Sequence, residues 1–565
     1  DGCTELLPDG SLCPRYDTMC GSADSVGSRT AEPRAPEAGH WFDFQVKMLA
    51  ENARMVAPVT GPPPSPLPPG TTRVSTPPPP PPGGTATRCT VCVMPACGCS
   101  LANHAWCNPS YCYATCETWM TRCDNPPPPS PQPMPPPLPL PPPPPPSPPS
   151  SPASPEPPPA PGTPPQSGRL ANLFELSQAF YVNPTLVANL DTSIATASGT
   201  TRDNLRTMQT VPSAFWIDRK DKIWGNTTNH LQGILAHAAS QSPPPLVVFM
   251  LYDLPNRDCH AIASNGEICC HYKAGTASVS HPNGQCDFLQ ASDCATGLAE
   301  YKTEYVDQFA AVLALYDGRV PVAVVIEPDS LPNLVTNNDN PKCGNTATSA
   351  AYNEGIAYAV HKLAALAPSA ALYMDAAHGG WLGWEDNAVS FAGKVAAMGI
   401  ANELRGFAAN VANYQALGAP CAVDWAAGLQ GSNAVYTLRQ YCSSNAHDAC
   451  CDDPCGLMAE WSGGNNEYNY VALMSAAMKR AVGADFEPHW LIDTGRNGVA
   501  DMRAQCANWC NARGAGAGAL PTHINLLPEL VDALYWLKTP GESDGCTELL
   551  PDGSLCPRYD TMCGS

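Results

Sequence analysis

The chain has 565 residues, of which 14% are charged and 44% hydrophobic, with a formal net charge of −21 at pH 7 and a pI of about 4.9. An acidic surface repels phosphate groups, so the composition argues against nucleic acid and against anionic membrane surfaces as partners. No apolar run in the sequence is long enough to span a bilayer, which argues against a membrane protein.

The first 22 residues, DGCTELLPDGSLCPRYDTMCGS, recur letter for letter at residues 544–565. This identity predicts that the chain is one period of a tandem array, cut with a short overlap. The 27 cysteines become an even number once the three in the overlap are counted a single time, as a disulfide framework requires. Dispersed cysteines and the sequon at Asn226, a predicted glycosylation site, favour an extracellular protein over a zinc-rich intracellular one.

Two proline-rich stretches, residues 58–85 and 126–166, are predicted to be linkers, because such sequences form extended polyproline II and cannot bury a core. Their Ser-Pro and poly-Pro pattern resembles hydroxyproline-rich glycoproteins of green algal and plant walls. The resemblance implies glycosylated stalks, and an unmodified spacer is the alternative.

A small disulfide-rich module is predicted between the linkers, at residues 86–125, where eight cysteines accompany too few apolar residues for a core. It carries four aromatic residues, Trp106, Tyr111, Tyr113 and Trp119. They either stack on sugar rings, as in small cellulose-binding modules, or provide the module's own packing and docking surface.

Residues 167–565 have the pattern of one large α/β domain. Short apolar runs alternate with helical stretches, as is typical of parallel strands buried on both faces. The runs lie at 214–218, 245–254, 320–329, 371–377, 405–411 and 489–495. A helix is predicted at 350–367, with an apolar face of Ile356, Val360, Leu363 and Leu366. Repeated strand–helix units without a Gly-rich dinucleotide motif favour a barrel over a Rossmann sheet.

Aspartates stand at or just beyond the ends of four of these runs: Asp253 and Asp258, Asp329, Asp375 and Asp493. The carboxyl ends of barrel strands converge on one mouth, so these groups should share a cleft, although a single strand-end aspartate is more often a helix cap. Clustered carboxylates with tryptophans nearby, and without a His/Cys ligand set, suggest glycoside hydrolysis rather than metal chemistry. The absence of a GxSxG motif disfavours a serine hydrolase. No cofactor and no metal are predicted.

Six segments resemble, in family order, the motifs of glycoside hydrolase family 6, which contains cellobiohydrolase II and related endoglucanases. They lie at 252–267, 325–337, 374–384, 406–414, 492–498 and 537–545. The resemblance covers residues 170–565. It implies a distorted, seven-stranded parallel β/α barrel that hydrolyses β-1,4-glucan, in cellulose or cello-oligosaccharides, with inversion.

Five catalytic residues are implied by the resemblance. Asp329 would be the general acid, and Asp258 would keep the pKa of that acid high, since two close carboxylates cannot both ionise cheaply. Ser264 would help to position the water, and Tyr252 would press on the distorted sugar. Asp544 would be the candidate base, acting through a water.

The same resemblance implies eight substrate-binding residues, with the tryptophans stacking on glucose units: Trp216, Asp375, His378, Trp381, Trp384, Asn410, Lys538 and Glu542. It also implies two disulfides, Cys259–Cys343 and Cys510–Cys563. Two positions depart from the family pattern. Asn256 replaces an Asp, which we expect to weaken one hydrogen bond, and Ser543 replaces a Cys without an expected effect.

Residues 1–57 are then predicted to be the C-terminal tail of the preceding copy's catalytic domain, so that the domain at 167–565 is truncated at its C-terminal end. The apolar face formed by Trp41, Phe44, Met48 and Leu49 would dock on the preceding barrel. Cys20 would pair with that copy's Cys510. Neighbouring copies are thus expected partners, with fibre formation as one outcome.

The predicted function is that of a secreted cellulase, with attachment to a cell wall or matrix left open. Long loops after Ser264 and after Asp544 would roof the cleft, which favours a cellobiohydrolase over an endoglucanase. The alternative is a structural fibre in which the barrel is mainly a building block. A carbohydrate-binding module without catalysis is least favoured, because Asp258, Asp329 and Asp544 are all present.

Overall fold

The computed structural model describes residues 171–261, 263–277, 282–431, 434–503, 505–547, 556, 558–561 and 563, together with the backbone of two short strands near residue 96. The chain divides into two compact units, one of residues 60–162 and the other of residues 1–59 and 163–565. The predictions for the tail at 1–57, for both linkers and for the aromatic residues of the cysteine-rich module lie outside the described residues.

In the smaller unit, strand β1 (Val93–Met94) pairs antiparallel with strand β2 (Cys99–Ser100). This hairpin falls within the predicted disulfide-rich module. The boundaries of that module remain a prediction.

The larger unit contains one seven-stranded parallel sheet whose strands follow each other in chain order. The strands are β3 (Phe215–Ile217), β4 (Val247–Leu251), β5 (Val322–Ile326), β6 (Ala371–Asp375), β7 (Gly406–Ala409), β8 (His489–Asp493) and β9 (Val531–Tyr535). The seven-stranded parallel α/β fold is therefore confirmed. Each of the first six strands lies inside one of the six predicted runs. The apolar pattern missed β9, because a buried aspartate, Asp532, interrupts its run.

Helices connect the strands and cover the outside of the sheet. They are α1 (Leu173–Leu176), α2 (Pro184–Thr196), α3 (Gly199–Met208), α4 (Leu231–Ala239), α5 (Ala295–Glu300), α6 (Asp307–Tyr316), α7 (Ser330–Thr336), α8 (Thr346–Leu366), α9 (Gly379–Leu382), α10 (Glu385–Met398), α11 (Ala434–Ser444) and α12 (Glu467–Val482). A π-helical segment, Tyr301–Val306, joins α5 to α6. No helix of the described residues is long and apolar enough to cross a membrane.

The predicted helix at 350–367 corresponds to α8, which starts four residues earlier. Asn345 caps it by accepting a hydrogen bond from the Thr348 N–H. Ile356, Val360 and Leu363 are fully buried, as predicted. The placement of Leu366 on the apolar face was wrong, because this last residue of the helix is 43% exposed.

Successive side chains of the central strands point alternately into the barrel and toward the helices. The inward set, including Val248, Met250, Val325 and Tyr373, forms one core with Phe174. The outward set packs with the helices in a second, larger core. This alternation follows from the period of two in a strand, and burial on both faces explains the continuous apolar runs.

Phe174 on α1 fills part of the barrel interior. Its ring meets Tyr373 and Tyr535 edge-to-face, with centroids 6.4 and 5.6 Å apart. Asn172 holds the helix in place, since its side chain caps the Phe174 N–H at 2.9 Å and donates to the Asp532 carbonyl at 3.0 Å. Burial of this one ring therefore ties the chain before β3 to the last strand.

The edge strands β3 and β9 are not paired as a ladder in the described structure. Hydrogen bonds instead join the start of β3 to the residues that follow β9. The Ala214 N–H, just before β3, donates to the Trp536 carbonyl, and the Trp216 indole donates to the Leu537 carbonyl, both at 2.9 Å. The barrel is thus incomplete between β3 and β9.

A buried charge cluster lies near the amino ends of the strands, away from those carboxylates. Arg405 donates two hydrogen bonds to Asp532, at 2.9 and 2.7 Å, and the Tyr373 hydroxyl donates a third at 2.7 Å. Burial would raise the pKa of Asp532, but Arg405 and His489 keep the pKa below its usual value. The aspartate that concealed β9 in the sequence therefore stabilises the barrel through a paired charge.

The described cysteines form eight disulfides. Both predicted pairs, Cys259–Cys343 and Cys510–Cys563, are confirmed. The others are Cys269–Cys286, Cys270–Cys294, Cys421–Cys450, Cys442–Cys451, Cys455–Cys506 and Cys546–Cys556.

We expect Phe174→Ala to lower the free energy of unfolding by about 3–5 kcal/mol, because it leaves a cavity that the surrounding rings cannot fill. Leu176→Ala is the matched control, since Leu176 lies on the same helix and is 65% exposed. Urea unfolding followed by tryptophan fluorescence measures both. Equal losses in the two variants would contradict the role assigned to Phe174.

Candidate active site

A cavity of about 1170 Å³ opens at the carboxyl ends of the strands. Ten of the thirteen predicted catalytic and substrate-binding residues line it: Trp216, Tyr252, Asp258, Ser264, Asp329, His378, Trp381, Lys538, Glu542 and Asp544. Asp375, Trp384 and Asn410 do not line it. Of the strand-end aspartates that the sequence predicted to share a cleft, Asp258 and Asp329 line this cavity, and the buried Asp253, Asp375 and Asp493 do not.

Asp329 follows β5 and has a left-handed backbone, with φ of 58°. Its N–H donates to Asp375 Oδ2 at 3.0 Å, which turns the segment after β5 toward the neighbouring strand. Withdrawal from bulk water and the charges of Asp375, Asp258 and Asp544 raise the pKa of Asp329 well above its usual value. A carboxyl group in this state keeps its proton and can donate it.

Asp375 lies behind Asp329 rather than on the cavity wall, and its predicted role in substrate binding stays a prediction. The side chain is 1% exposed, and Oδ2 also accepts the Ala377 N–H at 3.2 Å. No described residue hydrogen-bonds its Oδ1. Burial raises the pKa of Asp375 to about 7. Asp375 therefore orients the backbone of Asp329 and disfavours a negative charge on the Asp329 carboxyl group.

Asp258 occupies the loop after β4, with φ of 53°. Burial raises the pKa of Asp258 to about 6. Three interactions act in the opposite direction and lower that pKa: a hydrogen bond from the Ala261 backbone, the charge of Arg257 and a hydrogen bond from the Ser264 side chain. Asp258 also raises the pKa of Asp329. Asp258 thus lies near enough to Asp329 to oppose its ionisation, and the role predicted for Asp258 stays a prediction.

Arg257, which the sequence analysis did not single out, organises this loop. Its guanidinium lies 4.1 Å from the centroid of the Tyr252 ring. It donates to the Ser264 and Asp218 carbonyls, both at 2.9 Å, and to Asp253 Oδ1 at 3.3 Å. One buried cation thus connects Tyr252 to the loop that carries Ser264. The position of Arg257 inside the 252–267 motif is the sequence feature that could have identified it.

Asp544 has the opposite electrostatic environment from Asp329. Arg496 Nη1 lies 2.7 Å from Asp544 Oδ2, and the Asn511 N–H donates to the same oxygen at 3.2 Å. Burial would raise the pKa of Asp544, but Arg496 and Lys538 hold that pKa below its usual value. Asp544 is therefore an ionised acceptor. Arg496 was missed in the sequence, although it lies in the 492–498 motif.

Aromatic rings and a charged pair form another part of the wall. The Trp216 ring meets Tyr252 edge-on at 5.2 Å, and Lys538 Nζ lies 5.0 Å from the Trp216 ring centroid. Lys538 also pairs with Glu542 at 3.2 Å. Flat apolar surfaces beside hydrogen-bonding groups suit pyranose rings, which present both C–H faces and hydroxyl edges.

Comparison with known proteins identifies the barrel. The family model for glycosyl hydrolases family 6 matches residues 176–277 and 289–565. The chain belongs to glycoside hydrolase family 6. Exoglucanase 3 of Agaricus bisporus is 36% identical over 357 residues, which are 62% of this chain and 64% of that protein. The 1,4-β-D-glucan cellobiohydrolase CEL6C of Podospora anserina is 35% identical over 346 residues, which are 60% and 70% of the two chains. The family 6 chain thus spans just under two thirds of the Agaricus relative's length.

Solved family 6 structures share the fold. The catalytic domain of Cellulomonas fimi Cel6B has a TM-score of 0.54 and 28% identity, covering 70% of this chain and 87% of its own. Cellobiohydrolase II of Humicola insolens, solved with glucose and cellotetraose, has a TM-score of 0.52 and 28% identity, covering 70% and 92%.

In this family 6 chain, the turn that carries His378 and Trp381 packs tightly against residues 462–467. A Cβ atom on Gly379 would lie 2.2 Å from the Gly464 carbonyl oxygen, so only glycine fits. The Gly379 N–H donates to Glu467 at 2.9 Å. Glu467 is fully buried and was not predicted, and burial raises its pKa to about 8. Burial and the charge of Arg503 lower the pKa of His378 to about 3, so its ring is neutral.

Two predicted substrate-binding residues have other partners. Asn410 is fully buried, donates to the Asp493 carbonyl at 2.9 Å and accepts the Gln415 N–H at 3.0 Å. Its amide supports the turn after β7, and its predicted role in substrate binding stays a prediction. The Trp384 indole donates to the Glu460 carbonyl at 2.7 Å, which places this residue outside the cavity wall.

Three further residues that the sequence analysis named are also described by the structure. Asn226 is exposed, as a glycosylated residue must be. Asn256 keeps a partner at each end of its amide, Thr348 Oγ1 and the Cys270 N–H, both at 3.0 Å. Ser543 donates to the Gly545 carbonyl at 2.8 Å.

The second copy of the 22-residue repeat completes the site. It supplies Asp544, and Arg558 Nε donates to the Ala263 carbonyl at 3.0 Å, next to Ser264. Cys563 joins the same segment to Cys510. The loop that carries Ser264 is thus held by residues almost 300 positions later in the chain.

We expect Gly379→Ala to displace the Trp381 turn, because the new Cβ meets backbone that cannot move away. Overpacking of this kind costs about 1–3 kcal/mol of unfolding free energy. Gly393→Ala on α10 is the control, since its Cβ has open space and alanine favours a helix by about 0.5–1 kcal/mol. Denaturant unfolding of the two variants should shift in opposite directions, and a shift of Gly379→Ala toward higher stability would refute the packing argument.

Proposed function

We propose that the chain is an extracellular inverting β-1,4-glucanase of the cellobiohydrolase type, repeated in tandem along a proline-rich chain. One observation carries the proposal. Asp329 and Asp544 line the same cavity, and their surroundings shift their pKa values in opposite directions. An inverting glycosidase needs this arrangement, with one carboxyl group protonated and another ionised.

Asp329 serves as the general acid. The raised pKa keeps its proton at a pH where an ordinary aspartate has lost it, so Asp329 can protonate the glycosidic oxygen as the bond breaks. Asp375 and Asp258 both contribute to that rise. The Asp329 carboxylate is then protonated again by a proton from solvent.

Asp544 serves as the base. It accepts a proton from the water that attacks the anomeric carbon from the opposite face, either directly or through a second water near Ser264 and Asp258. The Arg496 contact keeps Asp544 ionised and fixes its orientation. Attack from that face converts a β-linkage into an α-anomeric product.

The aromatic wall supports a glucan substrate. Trp216 and Trp381 offer stacking surfaces, and Lys538 and Glu542 offer groups that bind hydroxyls. The Humicola insolens structure was solved with glucose and cellotetraose, and the Agaricus and Podospora relatives are named as an exoglucanase and a cellobiohydrolase. These similarities favour cellulose and cello-oligosaccharides as substrates.

Disulfide-tied segments at the cavity support exo action over endo action. Residues 269–294 are tied by Cys269–Cys286 and Cys270–Cys294, and Cys286 lines the cavity. Cys455–Cys506 ties another lining segment, which also contains Trp509. Fixed loops over a cleft admit a chain end more readily than the middle of a chain. Eight disulfides also favour an oxidising, extracellular compartment.

The building-block alternative has less support. Asp258 and Asp329, together with Asn256 and Glu327, have left-handed backbones beside the cavity, each costing about 1–3 kcal/mol. A barrel that served only for construction would have no need of this strain or of several buried carboxylates. The tandem arrangement and the glycosylated stalks rest on the sequence.

Asp329→Asn should lower the turnover of cellohexaose by at least about 100-fold, since the amide cannot donate the proton at the leaving oxygen. Products are followed by chromatography that separates the anomers, and the wild-type protein should release α-anomers. Asp203→Asn, at a surface position paired with Arg206, is the control. Unchanged turnover in Asp329→Asn would exclude it as the acid, and β-anomeric products would exclude inversion.

Activity should fall at low pH as Asp544 is protonated and at high pH as Asp329 loses its proton. Arg496→Gln removes the cation that holds the pKa of Asp544 down, so burial raises that pKa and the acidic limb moves to higher pH. Arg496→Lys retains a charge and should shift the limb less. The measurement is kcat/KM against pH for the three proteins, and an acidic limb that stays in place in Arg496→Gln would argue against Asp544 as the base.

A further inference from the structure

A second tryptophan-containing surface lies outside the cavity, where the turn at 378–384 meets residues 458–463. The Trp384 indole donates to the Glu460 carbonyl at 2.7 Å, and Trp384 forms an isolated antiparallel bridge with Ser462. The Gly463 N–H donates to the Gly383 carbonyl at 2.7 Å. These contacts place Trp461, between Glu460 and Ser462, beside the turn that carries Trp381 and Trp384.

Trp461 is held at the surface instead of being packed inside. It is 54% exposed, although its neighbour Ser462 is fully buried. Its backbone is left-handed, with φ of 61°, a conformation that costs a non-glycine residue about 1–3 kcal/mol. A bulky side chain in a strained and exposed position indicates that the surrounding structure maintains it there.

Arg439 braces the ring. Its guanidinium carbon lies 4.2 Å from the Trp461 ring centroid, within the range of a cation–π contact. Nη1 of Arg439 also donates to the Met458 carbonyl at 2.9 Å, so the same side chain anchors the loop before Trp461. The exposed ring is therefore supported by the protein, which lowers the entropy that a ligand must remove on stacking.

Three tryptophans lie on adjoining backbone segments at and beside the cavity. Trp381 lines the cavity, Trp384 follows it on the same turn, and Trp461 adjoins Trp384 across the backbone bridge. A β-1,4-linked glucan is a flat, uncharged ribbon with apolar C–H faces, and a row of aromatic rings fits such a ribbon. Trp384 and Trp461 therefore lie on backbone segments next to the turn that carries Trp381, where a chain longer than the cavity could reach them.

We propose that Trp461 forms an outer binding site, next to Trp384, for the part of a β-1,4-glucan chain that extends beyond the cavity. The site rests on the proposed function, because its ligand is the same polymer that the cavity would cleave. If the site exists, Trp461 contributes to the affinity for long glucan chains. It does not contribute to the affinity for short oligosaccharides, which fill only the cavity.

The test compares the binding of cellotriose, cellohexaose and swollen cellulose to the full chain carrying Asp329→Asn, so that hydrolysis does not interfere. In this background, Trp461→Ala should weaken binding to swollen cellulose about 3- to 10-fold, with cellotriose affinity unchanged. Trp461→Phe should retain most of the affinity. Trp224→Ala is the matched control, since Trp224 is 45% exposed and its indole donates to Gln308 instead.

Three results would overturn the outer site. The first is that Trp461→Ala binds swollen cellulose as tightly as its parent does, and the second is that it loses no more affinity for swollen cellulose than Trp224→Ala loses. The third result is a loss of affinity for cellotriose as large as the loss for swollen cellulose. The last would show that Trp461 acts on the fold of the cavity or on another class of partner. If the parent itself bound none of the three glucans, the proposed function would fail as well. Normal cellotriose binding with no effect of Trp461→Ala would remove the outer site alone.

Discussion

Repulsion among carboxylates that share a cavity with little water is the constraint on which the site depends. Parallel strands deliver their carboxyl ends to one side of the barrel, and the charges of Asp258, Asp375 and Asp544 all raise the pKa of Asp329. They cannot all ionise cheaply, and the protein resolves this conflict unequally. Arg496 contacts Asp544 and keeps it charged, while Asp329 has no cation in direct contact among the described residues and keeps its proton. The contact with Arg496, together with Lys538, thus gives Asp544 a low pKa, whereas burial and the nearby carboxylates give Asp329 a high one.

The supporting residues show how this arrangement is maintained. Asp258 and Asp329 both have left-handed backbones, at a cost that the surrounding contacts must offset. Asp375 accepts the Asp329 N–H, and Arg257 connects Tyr252 to the Ser264 loop. These are buried contacts between neighbouring strand ends. Stability is therefore given up locally to hold reacting groups at fixed positions, with disulfides and the two barrel cores supplying the compensation.

Sequence patterns predicted much of this, because burial on both faces makes parallel strands continuous apolar runs. They failed where a local pattern and the tertiary environment disagree. Asp532 hid β9, since a charge paired with Arg405 inside the barrel is indistinguishable in sequence from a solvated one. Asn410 lies in a family motif, yet its amide holds the turn after β7, which no spacing reveals. Glu467 is 88 residues from Gly379, in the cavity-lining turn that it supports, so its role depends on a long-range contact.

The repeated segment acquires a physical role from the same contacts. Its second copy begins at Asp544, supplies Arg558 to the Ser264 loop, and is anchored by Cys563 to Cys510. These residues connect the base to the loop beside Asp258, so the segment links the two halves of the proposed chemistry. The first copy, at residues 1–22, has the same sequence. An array in which each barrel is finished by such a segment would couple the folding of each site to the continuity of the chain, and the disulfide would make that connection covalent.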